Sequence, residues 1–538
     1  MHILKRLTSA VIAAGILLLA AGPVHADWLR AETAHFIVYG DVPERELRAY
    51  AERAERFDGL LRAYYPVQVD HEIPKLEIFL ANGRRDMVKA SPRVPQSVAG
   101  WYSPNSPRIY TVVDLSSMGG NTVLFHEYAH HFMFQMRSGA YPSWFIEGFA
   151  EYYAMVDIRR DRIQFGLDNP GRMNSLTMGT NMWAPMEDVL TWRIRASGRY
   201  PGHLYYAQAW GMTHYFMSTP ERTRMLGQYL SAVARGEPSV SAMQAATGRT
   251  PEQLQSDVRR YLSGSVTYWT PQIDIPIPEV EITRLSPAES ALAWLQLRID
   301  ASRVVESDDD EEELEGKSPA ERTRILRERE EAREDRQTLI TTALATAARF
   351  PGDRTALLVT AKAQRLQRNP AAAVETLQPL LSDSSTDADA LRVAAFALLD
   401  QTDAADPEAE IVLRRRASGY LARSMDADPL NFQTYLGLND VRRGQVRYPT
   451  DNDLSTLHVA ISLAPQSFDS RMRLAEAFIA RGMNAEAIQI LQPVANSPHS
   501  SGFKRRARQL IATASGEAVV VSEPEPEDEG AETAAPSS

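Results

Sequence analysis

The sequence predicts an α+β domain followed by an all-helical domain. Residues 27 to about 115 combine short alternating segments, typical of strands, with one long amphipathic helix. Residues 120 to about 265 show mainly helical patterns, and the second half contains related helix-turn-helix segments. A chain of 538 residues is too long for one core, so two or more domains are expected.

The first domain is predicted to open with a small sheet and a covering helix. Strands are expected at 34–40 and 75–80, and a hairpin at 98–102 and 108–113. The helix 43–65 lies between the first two strands in the chain. Its apolar positions recur at helical spacing and form one face: Leu47, Tyr50, Ala51, Ala54, Phe57 and Leu61.

The helical part of this domain is predicted to include a helix from Pro185 and another over 251–262. A Pro-rich extended segment follows and is interpreted as a linker. Composition shifts thus divide the chain into a leader, a first domain, a linker, a second domain and a tail: 1–26, 27–270, 271–284, 285–515 and 516–538.

The second domain contains two similar segments, 361–381 and 475–495. Small residues and a Leu-Gln-Pro ending recur in both at the same offset. Pro429 and Pro465 also close two small-residue helices 36 positions apart. This half resembles tetratricopeptide-repeat domains, which implies a surface for a protein partner, and a plain helical bundle is the alternative. The acidic insert 304–317 within it is interpreted as solvated.

The N-terminus has the features of a cleaved signal peptide. Lys5 and Arg6 precede a short apolar run, and Val24-His25-Ala26 is a small-x-small cleavage site. The run is too short for a comfortable span, so we expect a periplasmic or secreted chain with no stable membrane span. The sequence contains no cysteine, which excludes disulfides. The net charge of −11 argues against nucleic acid as a partner.

The chemistry-bearing motif is His126-Glu127-Tyr128-Ala129-His130, an H-E-x-x-H pattern. Residues four apart share a helix face, so His126 and His130 can direct two ring nitrogens at one metal ion. Glu127 lies beside them as a base for the attacking water. The alternative is a surface helix with two unconnected histidines.

A second motif follows as Trp144-Phe145-Ile146-Glu147-Gly148-Phe149-Ala150-Glu151. A turn and a second helix would return Glu147 to the metal and complete a His, His, Glu set with one open position. Glu151 lies one turn later and can accept a hydrogen bond from a ligand histidine. Solvated charges are the alternative for both carboxylates.

Together the two motifs resemble those of the gluzincin, or peptidase-MA-like, metallopeptidases. The resemblance implies one zinc ion held by His126, His130 and Glu147, with Glu127 as general base and Glu151 supporting the ligands. It also implies hydrolysis of peptide bonds in a protein or peptide substrate. The first domain would then be a zinc-peptidase domain, with substrate added as a strand beside the hairpin strand 98–102. A purely structural hairpin is the alternative.

A third segment, 204–216, resembles the Tyr-containing helix of such proteases. A tyrosine there stabilises the oxyanion, and this role is assigned to Tyr206 with Tyr205 as the alternative. Both could instead be core aromatic residues. His214 is expected to be a core or rim histidine, and His131 should point about 100° away from His130.

The sequence therefore predicts an exported zinc metallopeptidase with a helical domain that binds a protein. One alternative is an inactive peptidase-like scaffold that acts as an interaction module. Another is a protease whose helical domain covers its own cleft.

Overall fold

The computed structural model describes residues 28–67, 71–104, 107–117, 120–136, 139–159, 161–177, 183–192, 200–302, 318–402, 405–498 and 501–516. The predicted signal peptide, the acidic insert and nearly all of the predicted tail lie outside these residues. Among the described helices, none combines the length and apolar character needed to cross a bilayer.

A mixed six-stranded sheet opens the chain, and the remainder is mostly helical, as the predicted α+β class requires. Its strands are β1 Leu29–Glu32, β2 Phe36–Gly40, β3 Leu76–Ala81, β4 Gly100–Ser103, β5 Tyr110–Asp114 and β8 Glu281–Arg284. Across the sheet they lie in the order β4-β5-β3-β2-β1-β8. Strands β2, β3 and β5 are parallel to one another, and the other pairings are antiparallel. A separate antiparallel pair consists of β6 Asp157–Ile158 and β7 Ile163–Gln164.

Side chains alternate between two faces of the sheet, and each face has its own helical cover. On β3, Ile78 and Leu80 join the main core, whereas Phe79 and Ala81 join a second core on the other face. The helices of the first domain are α1 Glu44–Tyr64, α2 Arg84–Ala90, α3 Gly120–Met136, α4 Ser143–Ala154, α5 Pro170–Thr177, α6 Met186–Leu190, α7 Gly202–Met217, α8 Pro220–Ala234, α9 Ser239–Thr247 and α10 Pro251–Leu262.

The segment 271–284, predicted as a linker, is packed against the first domain and contributes a strand to its sheet. Ile275 approaches α1 so closely that a Cβ on Gly59 would lie 2.9 Å from its Cγ2. Residues 281–284 form β8, which pairs with β1 along its whole length. Of the alternating isoleucines in this segment, Ile273 and Ile275 are partly buried against the core, whereas Ile277 is exposed.

The second half consists of consecutive helices that each pack on the next one. They are α11 Pro287–Ala301, α12 Pro319–Ala347, α13 Arg354–Leu366, α14 Pro370–Leu377, α15 Ala388–Leu399, α16 Pro407–Ala427, α17 Phe432–Arg442, α18 Asp451–Leu463, α19 Phe468–Ala480, α20 Asn484–Ala495 and α21 Ser501–Ser515, with a 3₁₀ turn at Gln378–Leu380. We call α12–α21 the helical array.

The two segments that are similar in sequence also occupy equivalent places in the array. Each forms a helix-turn-helix pair, α13–α14 and α19–α20. Ala361 and its counterpart Ala475 are both fully buried, and so are Leu377 and Leu491. The small residues Ala361 and Ala475 allow the paired helices to approach closely, which is the pattern expected of a repeated unit.

Candidate metal centre

Helix α3 carries the two histidines of the first motif on one face. The Nε2 atoms of His126 and His130 lie 3.1 Å apart. This proximity follows from their spacing of four residues, which places them one turn apart. The helix is apolar on most of its surface and lies in the main core, so the pair is held by a well-packed element.

Helix α4 brings Glu147 to the histidine pair. Its Oε2 atom lies 3.8 Å from Nε2 of His126 and 3.7 Å from Nε2 of His130. One ligand atom from each residue can be chosen so that all three lie within 4.8 Å of one another. Two imidazole nitrogens and a carboxylate oxygen are the donor set that zinc takes in catalytic sites with an open position. The residues present therefore fit zinc.

Glycine at position 148 explains how α4 reaches this place. A Cβ at Gly148 would lie 2.2 Å from Oγ1 of Thr213 and 2.5 Å from the carbonyl oxygen of Ala209. Both of those residues belong to α7, so only glycine permits this close crossing of α4 and α7. The glycine of the second motif thus allows close packing next to the candidate ligand Glu147.

Glu151 lies one turn beyond Glu147 and faces the other ring nitrogen of His126. Its Oε1 is 3.6 Å from Nδ1 of His126, an ion-pair distance rather than a hydrogen bond. The sequence predicted that Glu151 lies beside a histidine of the first motif. It did not predict that the carboxylate of Glu151 is held by Arg172, which donates from Nε at 2.8 Å and from a terminal nitrogen to the second oxygen.

Arg172 is a member of this cluster that the sequence did not predict. It lies in the first turn of α5, and its side chain is 12% exposed. Burial alone would lower the pKa of Arg172, but the neighbouring Glu151 outweighs burial and raises this pKa above its ordinary value. Asn169, just before α5, also donates to Glu151 at 3.4 Å. Only the Asn-Pro helix start is visible in the sequence, and it does not reveal a partner 21 residues away.

Tyr206 lies near this cluster, whereas Tyr205 faces elsewhere in the core. The guanidinium carbon of Arg172 is 5.7 Å from the ring centre of Tyr206, within the range of a cation–π contact. Tyr205 is fully buried, and burial raises its pKa to about 12. Tyr206 is thus in contact with Arg172, and the oxyanion role of either tyrosine stays a prediction.

Glu127 is 3% exposed and belongs to the buried part of α3. Burial, followed by the charge of Glu127, raises the pKa of Tyr102 on β4 well above its ordinary value. The hydroxyl of Tyr102 is also 2.7 Å from Nδ1 of His131. Strand β4 is therefore linked by its side chains to the helix that carries the first motif.

The two histidines that the sequence excludes as ligands are both held by other partners. Nε2 of His131 is 2.7 Å from the side-chain amide of Gln135, and burial lowers the pKa of His131 to about 3. His214 contacts the hydroxyl of Tyr261 at 2.8 Å and the carbonyl oxygen of Gly166 at 2.9 Å. Burial lowers the pKa of His214 to about 4, so both rings are neutral near pH 7.

A second cluster, not predicted from the sequence, anchors α3 to α1. Asp58 accepts a hydrogen bond from the hydroxyl of Tyr128 at 2.5 Å. It also forms an ion pair with Arg62, whose Nε donates to it at 2.6 Å. His35 and Glu55 complete the group at 2.5 Å from each other. Although three of these residues lie close enough for a metal ion, the contacts of Asp58 indicate an ion-pair network that holds the middle residue of the first motif.

A family model described as "Protein of unknown function (DUF1570)" matches residues 121–239. The matched segment begins in α3 and contains both motifs, Arg172 and Tyr206. It covers less than half of the chain, and it is a similarity of this segment to that family. No curated protein matches the chain.

Proposed function

We propose that the protein is a zinc-dependent metallopeptidase. The observation that carries the proposal is the convergence of His126, His130 and buried Glu147 from two helices, with buried Glu127 inside the same first motif. In a chance match to the motif pattern, no third ligand would be expected at 3.7–3.8 Å from the histidine nitrogens. The gluzincin resemblance of the sequence supports the same reading.

Each residue of the proposed site has its own role in the reaction. His126, His130 and Glu147 hold the ion, and bound zinc would lower the pKa of a coordinated water and polarise the scissile carbonyl group. Glu127 takes the proton from the attacking water and delivers it to the leaving amine. Tyr206 is assigned to the oxyanion, with Tyr205 as the alternative, because a phenol donates a hydrogen bond without competing for the metal.

Strand β4 is the proposed binding site for the substrate. It is the outermost strand of the six-stranded sheet on the side of α3. A Cβ on Gly100 of this strand would lie 2.6 Å from Val123 of α3, so the strand packs directly against the motif helix. An added peptide strand would bind here through backbone hydrogen bonds, which tolerate many sequences. We therefore propose protein or peptide substrates.

The helical array is proposed to be tetratricopeptide-like and to bind a protein. Its consecutive helix pairs and the matching burial of Ala361 with Ala475 support this assignment. Stacked helix pairs form extended concave surfaces, which such arrays use to hold polypeptides.

Metal content decides between this enzyme and an inactive scaffold. The purified wild-type chain is expected to hold about one zinc per chain, and His126→Ala, His130→Ala or Glu147→Ala is expected to lose it on dialysis, because three protein ligands are needed. Glu151→Ala should weaken zinc binding less, by about 10-fold to 100-fold. Elemental analysis measures each variant, and exposed His203→Ala is the matched control. A wild-type chain without zinc favours the scaffold, and a Glu147→Ala variant that keeps zinc means that the third ligand is another residue.

Arg172 offers a test of the support behind the ligands. Arg172→Met keeps the aliphatic length but leaves the buried carboxylate of Glu151 without its cation. Breaking such a pair costs about 3–5 kcal/mol of stability, and zinc affinity should fall about 10-fold to 100-fold. Chelator competition and thermal melts measure both effects. The control is Arg159→Met, whose side chain is 64% exposed beside Asp157. Unchanged zinc affinity in Arg172→Met would show that this pair supports only the fold.

A further inference from the structure

Helices α3 and α4, which carry the proposed metal ligands, both contact the helical array. The contact lies at the C-terminal end of α3 and at the N-terminal end of α4. At the end of α3, Phe134 packs against Phe468 of α19 with ring centroids 6.4 Å apart. Phe134 also borders the buried cluster formed by the last helices of the array. It lies one turn beyond His130, so the first anchor is close to a ligand.

The second anchor is a single residue, Asn496, which follows α20. Its backbone carbonyl oxygen accepts a hydrogen bond from Oγ of Ser143 at 2.7 Å, and its side-chain amide donates to the carbonyl oxygen of Ala140 at 3.4 Å. Ser143 is the first residue of α4, and Ala140 belongs to the connection before it. Asn496 therefore holds both the connection and the start of the helix that carries Glu147.

Each of these contacts is made by a residue on the same helix face as a proposed ligand. Ser143 and Glu147 are four residues apart and share a face of α4, as His130 and Phe134 do on α3. The N-terminus of α4 has no side-chain cap of its own, because the residue before it is Pro142. Trp144 in the first turn is buried and donates to the hydroxyl of Tyr229 at 2.8 Å, so Asn496 adds a second attachment at this end, on the face that carries Glu147.

We propose that Asn496, together with Phe468, positions Glu147 relative to the two histidines, so that the helical array is part of the support of the metal centre. This inference rests on the proposed function. A metal site needs its ligands held to within about 0.5 Å, which requires supported rather than loosely connected helices. It also means that a partner which displaces α20 on binding would alter the affinity for zinc at a distance.

The experiment uses the full-length chain with Ser143→Ala and Asn496→Ala combined. We expect zinc affinity about 10-fold weaker by chelator competition, in the range of other supporting residues. The visible absorption of the Co²⁺-substituted protein should also change, because the coordination geometry shifts. The single variant Ser143→Thr keeps the hydroxyl group, so its zinc affinity and its Co²⁺ spectrum should match those of the wild type. The matched control is Asn452→Ala with Ser455→Ala, an exposed pair on α18 of the same array.

The outcomes separate the two proposals. A double variant with wild-type zinc affinity and an unchanged Co²⁺ spectrum overturns the positioning role and leaves the proposed enzyme intact. A wild-type chain that binds neither ion overturns the proposed function itself. Circular dichroism checks folding, and if the double variant does not fold, each single variant is judged by the same two measurements.

Discussion

Glu127→Gln is expected to remove nearly all hydrolytic activity while leaving zinc and the fold in place. Glutamine has almost the same shape as glutamate but cannot accept a proton from water at neutral pH. Removing a positioned general base typically lowers the rate about 10²-fold to 10⁴-fold. The side chain is buried and is not one of the three proposed ligands, so the loss should appear in turnover rather than in metal content.

The measurement uses purified protein with a mixture of fluorogenic peptides of varied sequence, followed by zinc analysis of the same samples. Glu46→Gln, an exposed glutamate in the first turn of α1, makes the same chemical change away from the site. Undiminished turnover by Glu127→Gln, with normal activity in the control, would remove Glu127 from the base role. Loss of zinc in this variant would instead make it a ligand.

Local patterns in the sequence predicted those elements whose partners are near in the chain. The predicted face of α1, from Leu47 to Leu61, is buried throughout, because a helix with apolar residues at this spacing has one way to cover a sheet. Helix α10 was predicted with its observed bounds, 251–262. The histidine pair was predictable for the same reason, since its spacing alone sets its geometry.

Apart from the return of Glu147 to the histidine pair, contacts between distant residues were not predictable, and these contacts determine how the site is supported. The ion pair of Arg172 with Glu151 joins residues on different helices. The bond from Tyr128 to Asp58 spans 70 positions. A single sequence shows a charge or a hydroxyl group but not its partner, so buried polar pairs become visible only in the structure.

The same limit explains why the sequence did not predict that the segment 271–284 supplies a strand of the sheet. A Pro-rich extended segment has the composition of an exposed connection, and sequence reasoning from composition cannot distinguish it from an edge strand that packs on a domain. Pairing of β8 with β1 joins residues about 250 positions apart, such as Ala31 and Ile282. Its register becomes evident only once the sheet exists.

A chain that ends at residue 272 is therefore expected not to fold stably, contrary to what its composition suggests. It lacks β8, which covers the edge of β1, and α11, which covers one face of the sheet. Trp294 of α11 packs edge-on against Trp28 at 5.0 Å between ring centroids and also contacts Phe79. Each large buried apolar side chain contributes about 1.5–3 kcal/mol. Exposing several of them removes much of a total stability of about 5–15 kcal/mol.

Because of helix α11, no cut between residues 270 and 285 is expected to separate two folded halves. Trp294 and Leu297 face the sheet, while Leu292 and Ile299 join the core formed with α12 and α13. The helix thus belongs to both cores at once. A chain that begins at residue 285 is expected to expose Trp294 and to aggregate, since the sheet that covers it is missing.

The test compares chains ending at 272 and at 302 with the full chain by thermal melts and limited proteolysis. The chain ending at 302 is expected to melt cooperatively but below the full chain, because it keeps the cover of the sheet and loses the partners of Leu292 and Ile299. It should also bind zinc more weakly than the full chain, since Asn496 is absent. The chain ending at 272 should be insoluble or lack a cooperative transition. If it melts within a few degrees of the chain ending at 302, then β8 and α11 are accessories, and the first domain is complete without them.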